Sequence, residues 1–178
     1  MTDRLVTHFR AMARNNAWAN ARLLEAVEAL GPDGFAAART SFFPSLRATL
    51  NHSHAVDQYY IDALEQAGIG RAAYRNAPDF AEPAALRAAQ AACDARLVAF
   101  CDRLTGPDLD RSVPTDRGPV TIPERVDALL AHLFQHQIHH RGQAHAMLAG
   151  TSVPPPQLDE FFLDFDRHPS AAAAGLMP

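Results

Sequence analysis

The sequence predicts an all-α protein, a four-helix bundle with long loops and a short C-terminal helix. Three observations carry this expectation. Four long stretches repeat apolar side chains at helical spacing, several of them begin or end with recognisable capping residues, and the segments between them are rich in Gly, Pro and Asp. Loops of this length exceed what a bundle needs to connect its helices, and such loops often line a site.

The first helix is expected over residues 3 to 30, with Leu5, Phe9, Met12, Leu23, Leu24 and Val27 among its apolar positions and Gly31-Pro32 as its stop. Ser45 is a suitable N-cap for a second helix reaching to about Ala67, before Gly68 and Gly70. Residues 69 to 81 read as loop. Pro83 opens the third helix, at the position where the missing N–H of proline costs least, and this helix runs to about Leu104. Between 105 and 122, Arg111-Ser112-Val113-Pro114 and Pro119-Val120-Thr121-Ile122 suit short extended pieces around a turn. The fourth helix is expected from Pro123-Glu124 to about Ala149. Pro154-Pro155-Pro156 follows, then a short helix near 157 to 165. Residues 1–168 read as one domain and 169–178 as a disordered tail.

A chain of 178 residues can bury a core without disulfides or a structural metal. All sixteen basic residues are arginine, which excludes Schiff-base lysine chemistry and a phosphate-loop lysine. The net charge of -4 and the absence of a basic run argue against nucleic acid or an anionic membrane as partner. With no apolar run long enough for a span and no signal-peptide core behind Met1-Thr2-Asp3-Arg4, a cytoplasmic protein is expected. Cys93 and Cys101, eight residues apart on one helix, are separated by roughly 12 Å along its axis and are expected to be reduced.

Nine histidines are more than one metal site requires. In Leu133-Phe134-Gln135-His136-Gln137-Ile138-His139-His140-Arg141-Gly142-Gln143, His136 and His140 have the i, i+4 spacing that lets two imidazoles share an ion. On a helical wheel they fall with Leu129, Leu133 and Met147, toward the expected core, while His132 and His139 lie at the edge of that stripe. His52, in Asn51-His52-Ser53-His54, falls with Val56, Tyr59 and Ala63, and His54 points the other way. A single inward histidine is usually a hydrogen-bonded core residue, but three converging ones favour a metal site of His52, His136 and His140, with a His132/His136 pair as the rival.

Three neutral nitrogen ligands leave the ion's charge uncompensated and a coordination position open, the pattern of a catalytic site. Zinc is the first expectation, with nickel or ferrous iron as alternatives. Gln137 stands where a zinc peptidase carries the glutamate of HExxH, so peptide hydrolysis is disfavoured. Gln143 returns to the His136 side of the helix, where it either orients a ligand or makes an ordinary interhelix hydrogen bond. Asp57 is expected at a salt bridge or in solvent rather than behind a ligand, and Trp18, Tyr59 and Tyr60 in the core rather than in a pocket.

Asn16-Ala17-Trp18-Ala19-Asn20, Leu50-Asn51-His52 with Asp57, the segment from His136 to Gln143, and Pro155-Pro156-Gln157-Leu158-Asp159 together cover nearly the whole chain. In these segments the sequence resembles the DinB/YfiT-like superfamily of bacterial four-helix-bundle metalloenzymes. The resemblance implies a divalent metal on His52, His136 and His140. It also implies a homodimer, for which the face of Phe134 and Ile138 is the expected interface. Relatives of this kind include low-molecular-weight-thiol transferases and mycothiol-dependent isomerases. The implied activity is therefore transfer of a small thiol to an electrophilic small molecule. The alternatives are a hydrolase using metal-bound hydroxide and a stress-associated metal-binding protein without turnover.

Overall fold

The computed structural model describes residues 3–163. In chain order its elements are α1 (Arg4–Ala36), α2 (Leu46–Glu65), α3 (Arg71–Arg75), α4 (Pro83–Arg103), α5 (Gly106–Asp110), β1 (Ser112–Asp116), β2 (Thr121–Arg125) and α6 (Val126–Leu148). The four long helices α1, α2, α4 and α6 form the bundle. α1 packs mainly on α4 and α2 on α6, while contacts of α2 with α4 and of α1 with α6 close the ring.

Local chemistry sets the helix ends. Asp3 accepts a hydrogen bond from the Leu5 N–H at 2.9 Å, and Ser45 accepts one from Ala48 at 3.1 Å, each satisfying a backbone donor that a helix start leaves open. α2 stops at Gln66, which adopts the left-handed conformation with φ 55°. Pro83 is the first residue of α4. Gly31, at φ 77°, breaks α1 at the expected stop, but one further turn carrying Pro32 resumes and buries Phe35 completely, so the element extends to Ala36.

Three other expectations need correction. The supposed loop at 69–81 contains α3. Pro123 and Glu124 do not open the fourth helix; they belong to β2, where Pro123 faces Pro114 of β1. Neither proline can donate, and an antiparallel ladder admits such a pair at a non-hydrogen-bonded position. The helix near 157–165 is absent from its described part: residues 157–163 are extended or turning, because Leu158 and Phe161 anchor the strap on Trp18 of α1. The rest of that segment, and the tail at 169–178, lie outside the described residues.

The core is divided along every long helix. One apolar cluster holds Phe9, Ile61, Leu97 and Leu133, and the other holds Leu23, Leu46, Leu86 and Leu148. Each of these side chains contributes roughly 1.5–3 kcal/mol by leaving water. Between the clusters, at the same level on all four helices, lies a buried polar layer of Asn16, Asn20, His54, Asp57, Gln90, Asp94, Gln137 and Arg141. Phe134 is turned into the core against Phe9, so it is not available as an interface, whereas Ile138 remains 47% exposed.

Candidate metal centre

His52 on α2 and His136 and His140 on α6 meet at the seam between the two helices. The Nε2 atoms of His136 and His52 are 3.3 Å apart and those of His140 and His136 are 3.1 Å apart. One ring nitrogen from each of the three lies within 4.8 Å of the others, and no other such group of ligating side chains occurs among the described residues. Nitrogens each about 2.0–2.1 Å from a tetrahedral zinc would be separated by roughly 3.3 Å, so the spacing suits a shared ion. His132 stays outside the group; its ring lies on Tyr60 at 4.9 Å and is 6.1 Å from that of His136.

The protonation state also fits. Burial, with the neighbouring imidazoles, holds the His136 pKa down to about 3, and burial lowers His52 and His140 as well. All three rings are therefore neutral at pH 7 and offer lone pairs. For His140 the tautomer is fixed by a relay. The Gln143 amide N–H donates to His139 Nε2 at 3.1 Å, which turns the Gln143 carbonyl oxygen to accept from His140 Nδ1–H at 2.8 Å. The His140 Nε2 lone pair then faces the cluster, and Gln143 takes the orienting position. His136 has no equivalent support: its Nδ1 is buried without a hydrogen-bond partner among the described residues.

The three histidines do not occupy the centre of the bundle, as the helical wheel suggests. His52 and His136 are half-buried at the floor of a cleft of about 360 Å³, and Phe43, from the loop before α2, covers His52 and His140 with ring centroids 4.6 and 5.7 Å away. The centre belongs to their sequence neighbours. His54, expected to point away, is 2% exposed and donates from Nδ1 to Gln90 at 2.9 Å. Asp57, expected in solvent or at a salt bridge, is 1% exposed and accepts from the amides of Gln90 and Gln137. It reaches the site only through Gln137, whose neighbour on α6 is His136.

Asp94 accepts from Asn16 and Asn20 at 3.0 Å, and Arg141 Nη1 donates to the carbonyl oxygens of the same two asparagines. Burial raises Asp57 to about 7 and Asp94 to about 6, and lowers Arg141 to about 10. Trp18, as expected, is core.

Tyr59 and Tyr60 line the cleft, contrary to the expectation of core positions alone. The β1–β2 hairpin folds over them: Tyr59 donates to the Asp116 carbonyl and Arg117 donates to the Tyr60 oxygen. Arg71 and Tyr74 of α3 complete the wall, the Tyr74 ring standing edge-on to His52 at 6.1 Å. Neither these two nor Phe43 was legible as a site residue, because each comes from a connection between the long helices, the short α3 or the loop before α2, whose path only the folded chain defines. A larger hollow, about 620 Å³, lies on the opposite side of α6 beside Ile138, Arg141 and Phe162, away from the histidines.

These features define a helical bundle carrying a tri-histidine group able to hold a divalent metal ion. The chain belongs to the DinB family, whose model it matches over residues 1–168. Its fold is similar to the crystal structure of a DinB-like protein, YjoA of Bacillus subtilis, with a TM-score of 0.57 and 18% identity over 85% of this chain and 96% of that one. No curated protein matches the sequence. Among the described residues, no helix is long and apolar enough to cross a membrane.

Proposed function

We propose that the protein is a metal-dependent enzyme that activates a small thiol and transfers it to an electrophilic small molecule. The observation that carries this reading is the convergence of three neutral imidazole nitrogens on the floor of an open cleft that lacks a free carboxylate. His52, His136 and His140 would hold the ion, zinc in the first instance with nickel or iron as alternatives, and Gln143 keeps the His140 lone pair aimed at it. A divalent ion there supplies a Lewis acid that lowers the pKa of a thiol into the neutral range.

The surrounding residues suit this chemistry better than hydrolysis. Both Asp116 oxygens accept backbone N–H groups, from Arg71 and Gly118, and the Glu124 carboxylate is held by Arg117. No free carboxylate among the described residues lines the cleft to deprotonate water, and the ring of His132, the other imidazole of its wall, lies 6.1 Å from that of His136. Gln137, at the position of a peptidase glutamate, faces Asp57 in the interior instead of the cleft. Burial raises the pKa of both cysteine thiols, so neither supplies a protein thiolate. In the transfer, the thiol proton passes to solvent through the cleft mouth, the new S–C bond forms, and a leaving group departs with its bonding pair.

The test is metal analysis of the purified protein by mass spectrometry beside His136→Ala, followed by a screen of thiols with 1-chloro-2,4-dinitrobenzene. About one ion per chain, lost in the variant together with turnover, is the expected result. Retained turnover by metal-free His136→Ala would refute the reading, and turnover without any thiol would shift it to hydrolysis.

A further inference from the structure

Arg71 brings to the cleft a guanidinium whose N–H donors no described residue accepts, although its charge lies near the Asp116 carboxylate. Three other polar groups of the cleft walls are engaged: the Tyr59 hydroxyl donates to the Asp116 backbone, the Tyr60 oxygen accepts from Arg117, and Arg117 forms a two-pronged ion pair with Glu124 at 2.6–2.7 Å. Tyr74 and the His132 ring, which packs on Tyr60, carry no fixed charge to compete with Arg71. Through its backbone N–H, Arg71 is fixed to Asp116 at 2.9 Å. Its guanidinium makes no hydrogen bond or ion pair with a described residue.

That guanidinium is nevertheless seated. It lies against Gly118 in the hairpin turn, where a Cβ would come within 1.9 Å of Nη1, and Gly118 has φ +90°. Only glycine leaves this notch open while adopting that backbone conformation without strain. The cleft thus presents a positioned fork of N–H donors on the same wall as Tyr74, which stands over His52.

We infer that Arg71 binds a carboxylate of the substrate, so that the thiol taken by this site is an anionic one. The inference rests on the thiol-transfer reading for the word thiol, and on the cleft alone for the carboxylate. One guanidinium offers two parallel donors, the match for a single carboxylate. The Asp116 carboxylate close behind it disfavours a dianionic phosphate.

Calorimetric titration of the metal-reconstituted protein with 3-mercaptopropionate, neutral 1-thioglycerol, propionate and ethyl phosphate tests this without relying on turnover. The wild type is expected to bind 3-mercaptopropionate about tenfold or more tightly than thioglycerol, the worth of one charge-assisted contact. Arg71→Gln should reduce that preference to within about twofold while thioglycerol binding and the melting temperature stay unchanged. Gly118→Ala, which displaces the guanidinium without removing its charge, should weaken 3-mercaptopropionate in the same direction.

An undiminished preference in Arg71→Gln overturns the inference, as does equal binding of the two thiols by the wild type or tighter binding of ethyl phosphate than of propionate. Arg71-dependent propionate binding in a protein that transfers no thiol would leave the carboxylate site standing and remove the transferase reading. Transfer of 3-mercaptopropionate by Arg71→Gln with an unchanged KM would do the reverse.

Discussion

The histidine cluster and the polar layer occupy the same level of the bundle and share α2 and α6, yet they manage polar groups in opposite ways. In the layer, Asp57, Asp94 and Arg141 are linked by the amides of Asn16, Asn20, Gln90 and Gln137. Donors there meet acceptors inside the protein, leaving only Asp57 Oδ1 without a partner. In the cluster, three neutral imidazoles crowd their Nε2 atoms together, 3.1 and 3.3 Å apart, with no ion-pair partner among the described residues. A buried network that satisfies itself holds helices together, whereas a group of like acceptors at a half-open seam is suited to a cation from outside.

The largest expected effect belongs to the layer. Arg141 is the single cation among two buried carboxylates, and Arg141→Met should destabilise the fold by roughly 3–5 kcal/mol, read as a fall in denaturation midpoint. A loss below 1 kcal/mol would show that the carboxylates are neutral in the fold and that the layer does not depend on charge.

The second effect is a pH dependence. Burial raises Asp57 from 3.8 to about 7, so between those values the folded state binds more protons than the unfolded one. The stability associated with this group is complete below pH 3.8 and declines as pH rises through 7, by an amount on the order of a few kcal/mol. Buried histidines, whose pKa values are lowered, act in the opposite sense, so the comparison must be made against Asp57→Asn at each pH. The variant should gain on the wild type from pH 5 to pH 7 and the difference should level off by pH 8; parallel unfolding curves would show that Asp57 stays ionised throughout.

For the cluster, Gln143→Leu removes the group that fixes the His140 tautomer and should weaken metal binding about 10- to 100-fold while leaving the melting temperature of the metal-free protein nearly unchanged. Unchanged affinity would reduce Gln143 to a surface hydrogen bond with His139. The smallest effect is expected at the exposed pair of Arg87 with Glu28, where Arg87→Ala should change stability by no more than about 1 kcal/mol, since solvent screens such a contact. A larger loss would mean that charge at the surface, as well as in the layer, holds α1 to α4.

Much of the fold was legible because its signals are local. Ser45, Pro83 and Gly31 mark helix boundaries through backbone chemistry that does not depend on distant residues. The start of the last helix was misplaced because Pro123 suits a helix N-terminus and an edge strand equally, and only pairing with β1 decides between them. Likewise, Leu158 and Phe161 have apolar spacing that a helix would also show, and Trp18 sets the conformation they adopt.

At the site, the sequence alone determined which residue types stand at which spacing, and therefore that His136 and His140 share one side of a helix. It could not determine where the inside lay. The wheel took the apolar stripe as the direction of the core, but the middle of this bundle is polar, so His54, Asp57 and Arg141 fill the centre and the three histidines are displaced to the α2–α6 seam. The approach of His52 to the other two, and the closure of the cleft by Phe43, Tyr74 and Arg71, depend on contacts between segments far apart in the chain. Spacing along one helix is a local property of the backbone, whereas which face is buried depends on the partners that pack against it.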